Sequence, residues 1–267
     1  MVLKQRLKFL RFSLLIFCPF LLQAQSWEKI KQVQIAKSPI SYSVDYQGNF
    51  YLGFSDGGLI KYNSEGDLLE NFSLSNASSI TLIDVQNNLK PFLFYFDNQQ
   101  ITILDRFSTV PKNYPLSDLG VQLGMMACPA PDGDFWIVEN NPQRLKKINP
   151  ARKNLILEVQ VNIGDSLQRM QAYQNLLFVA HSNGLHTFDQ YGGKLYSIAL
   201  DDLISMQLSQ GKLMLFSSKK ILQINPINGK ILNELATPTS SPDGILKIGN
   251  HFLVINERTL TFFNLIE

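Results

Sequence analysis

A five-residue pattern occurs six times at nearly even intervals: an apolar residue, two variable residues, a second apolar residue, then Asn or Asp. The successive Asn/Asp positions are 42, 44, 40, 36 and 39 residues apart. Repetition at such a period indicates one supersecondary unit used repeatedly, with neighbouring units burying a shared core. Six copies of one unit are therefore expected. The copies are Leu59–Asn63, Ile101–Asp105, Leu145–Asn149, Leu185–Asp189, Ile221–Asn225 and Leu260–Asn264.

Each period divides into four short strands, which we call a to d from the axis outward. In the first period these are Ile40–Asp45, Phe50–Ser55, Leu59–Asn63 and Leu68–Leu74. The b strands, such as Phe92–Phe96, are continuously apolar, as expected for strands covered on both faces by neighbouring sheets. A period of about 40 residues is the length of one propeller blade. The sequence predicts an all-β fold, a single six-bladed β-propeller of four-stranded blades.

The Asn or Asp that ends each c strand is interpreted as turn chemistry. An Asx side chain can accept a hydrogen bond from the backbone amide two residues on, which closes the turn into strand d. Gly66 and Gly192, three residues after Asn63 and Asp189, supply the positive φ that such turns require. A metal or catalytic role is not expected for these six residues.

The sixth period has three strands of its own, Gly244–Ile248, Phe252–Ile255 and Leu260–Asn264. The segment Glu28–Ala36 is strand-like and belongs to no other period. We expect it to add to the sixth blade as its outermost strand. Such an addition closes the ring and protects an otherwise open sheet edge.

Residues 1–24 have the composition of a cleaved secretory signal peptide. A basic leader precedes the apolar run Phe12–Leu22, and Ala24 is the expected cleavage point. The run of 11 residues is too short for a transmembrane helix, which needs about 20. Residues 25–267, the propeller, are expected to be exported to the periplasm or the extracellular space. The composition favours a bacterial origin.

The charge and cysteine content of the mature chain exclude two classes of protein. The whole chain has 24 Lys+Arg and 22 Asp+Glu, and four of the bases lie in the leader, which leaves 20 bases against 22 acids. This balance gives no support to a nucleic-acid partner. Cys128 is the single cysteine outside the leader, so an intrachain disulfide framework is excluded, and we expect a buried, unreactive thiol.

Three segments resemble repeats of known propeller families. Asp45–Leu52 resembles the core of NHL-type repeats, Asn183–Asp189 the repeats of two-component-regulator propellers, and Ile224–Lys230 the turn of quinoprotein-type repeats. The resemblance covers the mature chain at the level of the fold. The two-component type implies a sensor that would work with a separate membrane protein. Because three classes are matched at once, no functional residue is transferred from any of them.

In a propeller, the b–c and d–a connections share one face, and ligands commonly meet it near the axis. We call this the mouth face. Loops on a rigid scaffold often carry binding function. The sequence therefore predicts a non-enzymatic binding module without a cofactor, whose mouth face contacts a protein or a glycan. The candidate binding residues are Asp56, Asp97, Glu139, Asn140, His181, Asn183, Asp243 and Glu257.

A metal-dependent hydrolase or lactonase is the alternative. Ser241–Ile245 resembles a segment of the six-bladed gluconolactonase family, in which the matching Asp binds a divalent metal at the axis. This resemblance implies Asp243 as a metal ligand. Ser41–Asp45 lacks the Glu-Gly-Pro that the family carries near its first blade. The three histidines lack metal-ligand spacing, and a nucleophile elbow or catalytic triad is not recognisable.

Overall fold

The computed structural model describes residues 26–72, 78–105, 111–164 and 166–266. These residues form 24 β-strands and one short 3-10 helix, Leu116–Leu119. Among them, no helix is long and apolar enough to cross a bilayer. The predicted leader, residues 1–24, lies outside the described residues.

The strands form six antiparallel sheets of four strands each. The first strand is β1 (Ser26–Gln34). Blade one contains β2 (Ser41–Val44), β3 (Phe50–Gly53), β4 (Leu59–Tyr62) and β5 (Leu68–Phe72). Blade two contains β6 (Leu82–Asp84), β7 (Phe92–Tyr95), β8 (Gln100–Ile103) and β9 (Lys112–Pro115). Blade three contains β10 (Gly124–Pro129), β11 (Phe135–Glu139), β12 (Arg144–Asn149) and β13 (Asn154–Gln160). Blade four contains β14 (Leu167–Tyr173), β15 (Leu176–His181), β16 (Gly184–Asp189) and β17 (Lys194–Ala199). Blade five contains β18 (Leu203–Ser209), β19 (Lys212–Ser217), β20 (Lys220–Ile224) and β21 (Ile231–Ala236). Blade six contains β22 (Gly244–Ile248), β23 (His251–Asn256) and β24 (Thr259–Ile266).

The innermost strands of the six sheets close a ring. β2 contacts β6, which contacts β10, and the contacts continue through β14, β18 and β22 back to β2. The b strands are buried over most of their length, and every residue of β3, β7 and β11 is buried. The predicted all-β, six-bladed propeller of four-stranded blades is confirmed.

The fourth strand of blade six comes from the other end of the chain. β1 pairs antiparallel with β24, with Ser26 opposite Ile266 and Gln34 opposite Thr259. The strand starts two residues before the predicted Glu28. The Trp27 indole Nε1 donates a hydrogen bond to the Ala236 carbonyl of blade five at 3.0 Å. β1 therefore contacts blade five as well as the sheet that it completes.

The Asx turns follow the predicted chemistry in three blades. The side-chain oxygens of Asn63, Asp189 and Asn225 each accept a hydrogen bond from the backbone amide two residues on, at 2.8 to 3.0 Å. In blade three, Asn149 instead accepts from Arg152, three residues on. Asn264 is not a turn cap, because β24 continues past it to pair with β1; its side chain contacts His251.

Inner strands are joined across blades by side chains. The Gln207 amide of β18 accepts a hydrogen bond from the Lys247 backbone N–H of β22 at 2.9 Å and donates to the Lys247 carbonyl at 2.8 Å. Gln171 of β14 accepts one from the Leu208 backbone N–H of β18 at 3.2 Å. The Ser41 hydroxyl of β2 donates to the Ile80 carbonyl beside β6. Polar residues in these buried strands thus satisfy backbone groups that have no sheet partner.

Arg169 spans the axis. It lies on β14 of blade four and is 8% exposed, and its Nη1 donates to the Tyr42 carbonyl of blade one at 2.8 Å. Its Nη2 donates to the Ser43 hydroxyl at 3.2 Å and to the Ile83 carbonyl of blade two at 3.1 Å. Burial lowers the pKa of Arg169, and the nearby Asp84 opposes this shift. Blades one and four are opposite in a ring of six, so this residue ties the two halves together.

The parent chain is expected to unfold in one cooperative transition at its melting temperature. Removal of β1 is expected to abolish that transition. A variant lacking residues 25–37 loses the pairing with β24 and the Trp27 contact to blade five. Thermal unfolding followed by circular dichroism checks this. The substitution Lys29→Ala, at an exposed position of β1, should melt like the parent. Equal melting of the deletion variant and the parent would refute ring closure by β1.

Arg169→Met is expected to lower the free energy of unfolding by about 2 kcal/mol. The substitution removes three hydrogen bonds and leaves two buried carbonyls without a donor, while relieving part of the cost of burying a charge. Urea denaturation measures the difference. Arg152→Met, at an exposed turn position, is the matched control and should stay within about 0.5 kcal/mol of the parent. A similarly small effect of Arg169→Met would contradict the axial role.

Candidate functional site

The structure places the eight predicted binding residues in or beside mouth-face connections. Seven lie at b–c connections, between the second and third strands of a blade, and Asp243 lies between β21 and β22. The structure brings two pairs together by hydrogen bonds: Asp243 with Glu257, and His181 with Asn183. The remaining residues are distributed around the ring.

Glu139 is engaged inside blade three. It is 6% exposed, and its carboxylate pairs with Lys146 Nζ at 2.7 Å and accepts from the Gln122 backbone N–H at 2.7 Å. Lys146 also lies 3.5 Å from Glu158 on the adjacent strand. A buried charge is stable only when it is paired and hydrogen-bonded, and these contacts meet that need. The geometry gives Glu139 a structural role at the end of β11.

Asp243 holds two mouth-face loops together. Its Oδ2 accepts a hydrogen bond from the Glu257 backbone N–H at 2.6 Å, and its own backbone N–H donates to the Ile255 carbonyl at 2.9 Å. Across the residues that the structure describes, no three His, Cys, Asp or Glu side chains form a group that could hold a metal ion. Glu139 and Asp243 each have separate partners. The convergence that the lactonase alternative requires is not present in this part of the chain.

The other predicted acids and amides differ in their exposure and contacts. Asp56 forms an ion pair with Lys37, whose hydrogen bond lowers the pKa of the Asp56 carboxyl. Asp97 is exposed. Asn140 accepts a hydrogen bond from the Asn141 backbone N–H at 3.0 Å. Asp97 thus presents its carboxylate to solvent at the mouth face, while the other two have partners within the chain.

His181 lies beside a second histidine on blade four. The ring centroids of His181 and His186 are 4.7 Å apart. The Asn183 backbone N–H donates to His181 Nδ1 at 3.4 Å, and His186 Nδ1 contacts the Ser197 hydroxyl at 2.9 Å. Burial lowers the pKa of both histidines, to about 4 for His186, with Lys194 adding to the shift. The pair is therefore held in its neutral form at neutral pH.

A cavity of about 1090 Å³ opens on the face opposite the mouth, which carries the a–b and c–d turns. We call it the turn-face pocket. It extends from the inner strands β6, β10 and β14 outward to β9, and therefore draws its lining from blades two, three and four. Ligand pockets typically measure ~300–1,000 Å³ and are mostly apolar. The turn-face pocket is slightly larger than that range.

The walls of the turn-face pocket are largely apolar. Tyr114 packs against Phe135 with ring centroids 5.3 Å apart at 88°, an edge-to-face arrangement. Phe135 in turn meets Phe92 at 5.4 Å and 80°. Four prolines and Ala172 complete the apolar lining, the prolines being Pro111, Pro129, Pro131 and Pro150. Apart from Pro111, these residues belong to packed strands and short turns, which fixes the shape of that part of the pocket.

One wall of the pocket is a braced turn, residues 130–134. The Ala130 backbone N–H donates to the Asp134 carbonyl at 2.8 Å, and Gly133 takes a φ of 89°, which favours glycine. Asp134 accepts a hydrogen bond from the Asn149 side chain at 2.8 Å. Lys147 pairs with Asp132 and lies 3.7 Å from Asp134. Lys147 lies on β12, next to this turn.

Two polar side chains line the inner part of the pocket. Asp84 ends β6 and is 4% exposed, and its Oδ1 accepts a hydrogen bond from the Gln86 backbone N–H at 3.0 Å. Burial raises the pKa of Asp84, and Arg169 partly opposes the shift. The Gln86 side-chain Nε2 is buried, and among the described residues it has no hydrogen-bond partner. An apolar chamber with a small polar group at one end is the usual form of a ligand site.

Sequence reasoning missed Asp84, Gln86 and Arg169. Asp84 and Arg169 are ionisable residues of the inner strands β6 and β14, where a charge must find a partner, so a full division of each period into four strands could have drawn attention to them. For Gln86 the sequence carries no such signal, because an amide side chain is ordinarily exposed. Loop position, on which the mouth-face candidates rest, does not report the hydrogen-bond partners of a side chain.

Solved structures share this fold, whereas no protein-family model and no curated protein matches the chain in sequence. Virginiamycin B lyase from Staphylococcus aureus is similar with a TM-score of 0.62 and 13% identity, covering 90% of this chain and 100% of that one. A streptogramin B lyase gives 0.62 and 14%, covering 91% and 99%. The propeller domain of Cps50 (Swd1) from Myceliophteria thermophila gives 0.65 and 8%, covering 90% and 100%. These identities show the fold alone, in agreement with the fold-level resemblance to propeller repeats, so function is argued from the site.

Acidification is expected to destabilise the chain through the histidine pair. The folded state keeps His186 neutral down to about pH 4, whereas an unfolded histidine binds a proton below its ordinary pKa of 6.5. The unfolded state thus binds more protons in this window, and stability falls as the pH is lowered from 6.5 to about 4. His186→Gln should flatten the slope of melting temperature against pH, and the control Asn183→Ala should preserve it. An unchanged slope in His186→Gln would contradict this assignment.

Proposed function

We propose that the chain is an exported, non-enzymatic binding module and that the turn-face pocket receives its partner, a segment of a protein or a glycan. The observation that carries the proposal is the cavity of about 1090 Å³ between the blades. Export to the periplasm or extracellular space is supported by the composition of residues 1–24.

The construction of the pocket supports binding without rearrangement. Its lining comes from strands of three blades and from the braced turn 130–134. A site whose walls are already ordered spends little conformational entropy when it is filled. Such a site suits a module whose task is to hold a partner.

The mouth face is a weaker candidate for the contact surface. Glu139, Asp56 and Asp243 use their carboxylates within the chain, as described above. The exposed members of the predicted set are Asp56, Asp97, Asn183, Asp243 and Glu257. Exposed charges of this kind are found on any soluble surface and carry little information on their own. The pocket combines depth, apolar walls and inner polar groups, which the mouth-face set lacks.

Binding is also favoured over metal-dependent hydrolysis. A divalent cation such as Ca²⁺ takes six to eight oxygen ligands. Asp243 is the residue implied by the gluconolactonase resemblance, and its Oδ2 accepts a hydrogen bond from the Glu257 backbone N–H. Glu139 is neutralised by Lys146. The side-chain arrangement thus supports a binding module better than the lactonase alternative.

Pocket variants are expected to weaken partner binding at least about tenfold, while mouth variants retain it. Glycan arrays and peptide libraries applied to residues 25–267 would identify the partner, and the affinity of each variant would then be measured. Ala172→Leu reduces the pocket from its axial end, and Lys90→Trp obstructs its rim. Asp97→Ala and Glu257→Ala are the mouth-face controls. If these controls lose binding while both pocket variants retain it, the binding site lies on the mouth face and the proposal for the pocket is wrong.

A further inference from the structure

The exposed charges of the propeller are divided unequally between its two faces. On the turn face, the a–b and c–d turns of blades two to five, with the first three residues of the strand after each turn, form a surface that we call the basic rim. In the described part of the rim, seven exposed side chains are basic and one, Asp132, is acidic. Asp132 is compensated by Lys147. The rim bases are Lys90, Lys112, Arg152, Lys153, Lys194, Lys212 and Lys230.

The mouth face has the opposite balance. Its described connections expose seven acids and three bases. Because the mature chain as a whole has 20 bases and 22 acids, the basic rim is a local feature and does not follow from the net charge. A surface of one sign attracts partners of the other sign. The mouth-face acids are Asp56, Asp97, Asp118, Asp201, Asp202, Asp243 and Glu257, and the bases are Lys37, Lys219 and Arg258.

Two lysines meet at the edge of the basic rim. Burial lowers the pKa of Lys247 on blade six, and the charge of Lys212 on blade five lowers it further. The Lys247 Nζ lies 4.4 Å from the centroid of the Phe252 ring. Like charges that lie close together destabilise each other, and an anion beside them relieves this repulsion. Lys153 differs from these two, because it pairs with Asp118 at 2.8 Å.

The basic rim also exposes large apolar side chains. Of the 15 exposed large apolar residues in the described chain, eight lie in the rim, whereas Ile40 and Leu123 are the two of the mouth face. Tyr191 is 71% exposed and Ile227 is 69% exposed. Exposed apolar groups that are concentrated on one face indicate an interaction surface. The eight are Leu89, Leu155, Ile156, Tyr191, Leu195, Ile227, Ile231 and Leu232.

Bases and apolar residues are close neighbours in each of the four blades. In blade two, Leu89 directly precedes Lys90, and in blade four, Tyr191 lies three residues before Lys194. At a bilayer surface, apolar side chains enter the boundary between headgroups and acyl chains, while the long stems of lysines let their charges reach the headgroups. The neighbours in blades three and five are Lys153 with Leu155, and Ile227 with Lys230.

The kinds of residue in the basic rim favour a lipid surface over a protein partner. Six of its seven bases are lysines, and lysine is depleted at protein–protein interfaces, where arginine is enriched. Tyrosine is enriched where a membrane meets water, because its ring is apolar and its hydroxyl is polar. Clustered lysines next to apolar side chains are typical of proteins that bind anionic lipid.

We propose that the basic rim docks the propeller on a membrane surface that contains anionic lipid. Tyr191, Ile227 and the neighbouring apolar side chains lie at the level of the headgroups, and the lysines contact lipid phosphates. The acidic mouth face then points away from the membrane. This proposal goes beyond the proposed function, since it needs no ligand in the turn-face pocket. The pocket opens on the same face, so docking presents it to molecules that are anchored in that membrane.

Vesicle sedimentation with residues 25–267, which contain every described strand, tests the charge requirement. The protein should bind mixed phosphatidylcholine–phosphatidylglycerol vesicles and not pure phosphatidylcholine vesicles, and added salt should weaken binding. Lys194→Gln, Lys212→Gln and Lys230→Gln in one variant should weaken binding about 100-fold, because each base near an anionic surface contributes about fivefold. The matched control, Lys37→Gln, Lys219→Gln and Arg258→Gln, makes the same change of charge on the mouth face. It should stay within about twofold of the parent, because salt screens charges far from the membrane.

A second pair of variants tests the apolar contribution. Tyr191→Ser with Ile227→Ser leaves the charge unchanged and should weaken binding to the mixed vesicles about tenfold, because apolar area no longer leaves water. Ile40→Ser with Leu123→Ser is the control on the mouth face and should bind like the parent. Heparin, an anionic polysaccharide without an apolar phase, serves as the competing ligand.

Each contrary result overturns the proposal in a different way. Failure to bind the mixed vesicles overturns it outright, and equal weakening by the two triple variants shows that the basic rim is not the contact surface. Tighter binding of heparin than of the mixed vesicles, with no effect of the Tyr191 and Ile227 substitutions, assigns the rim to a polysaccharide instead. Ala172→Leu, inside the pocket, should bind vesicles like the parent, so the pocket and the membrane surface can fail separately. Thermal unfolding confirms that each variant is folded, and Lys230→Gln alone, expected to weaken binding about fivefold, replaces a triple variant that melts early.

Discussion

The innermost strand of each blade has a sheet partner along one edge only, and side chains from other blades bond backbone groups along several of the other edges. A buried backbone group without a partner costs about as much as a lost hydrogen bond, so these edges must be satisfied. Gln207 provides both a donor and an acceptor to Lys247, and Arg169 serves carbonyls of Tyr42 and Ile83. Six separate sheets become one ring through such contacts, together with the apolar packing between them.

The same contacts position the turn-face pocket. Arg169 bonds the Ile83 carbonyl, directly before Asp84, while Ala172 on the same strand as Arg169 lines the cavity. The axial arginine therefore fixes blades two and four, which supply two walls of the pocket. The polar residues of these strands hold the blades together. The pocket depends on them because those blades supply its walls.

The fold was largely predictable from the sequence, and the pocket was not. The blade repeat rests on local contacts, because Asn63 and Asp189 close turns within their own hairpins. Contacts of this kind recur at a fixed spacing along the chain, so they can be recognised in the sequence. The contacts of Glu139 with Lys146 and of Asp243 with Glu257 depend on strand register and loop packing, which spacing alone does not report.

The pairing of β1 with β24 joins two segments that are synthesised at well-separated times. The ribosome produces Ser26–Gln34 well before Thr259–Ile266, yet the two are hydrogen-bond partners. Contacts so distant in sequence form slowly, because a long loop must close first. Until β24 is made, β1 lacks its partner, and an unpaired strand edge is open to other chains. The interval between the synthesis of the two strands is therefore a period in which this chain is exposed to aggregation.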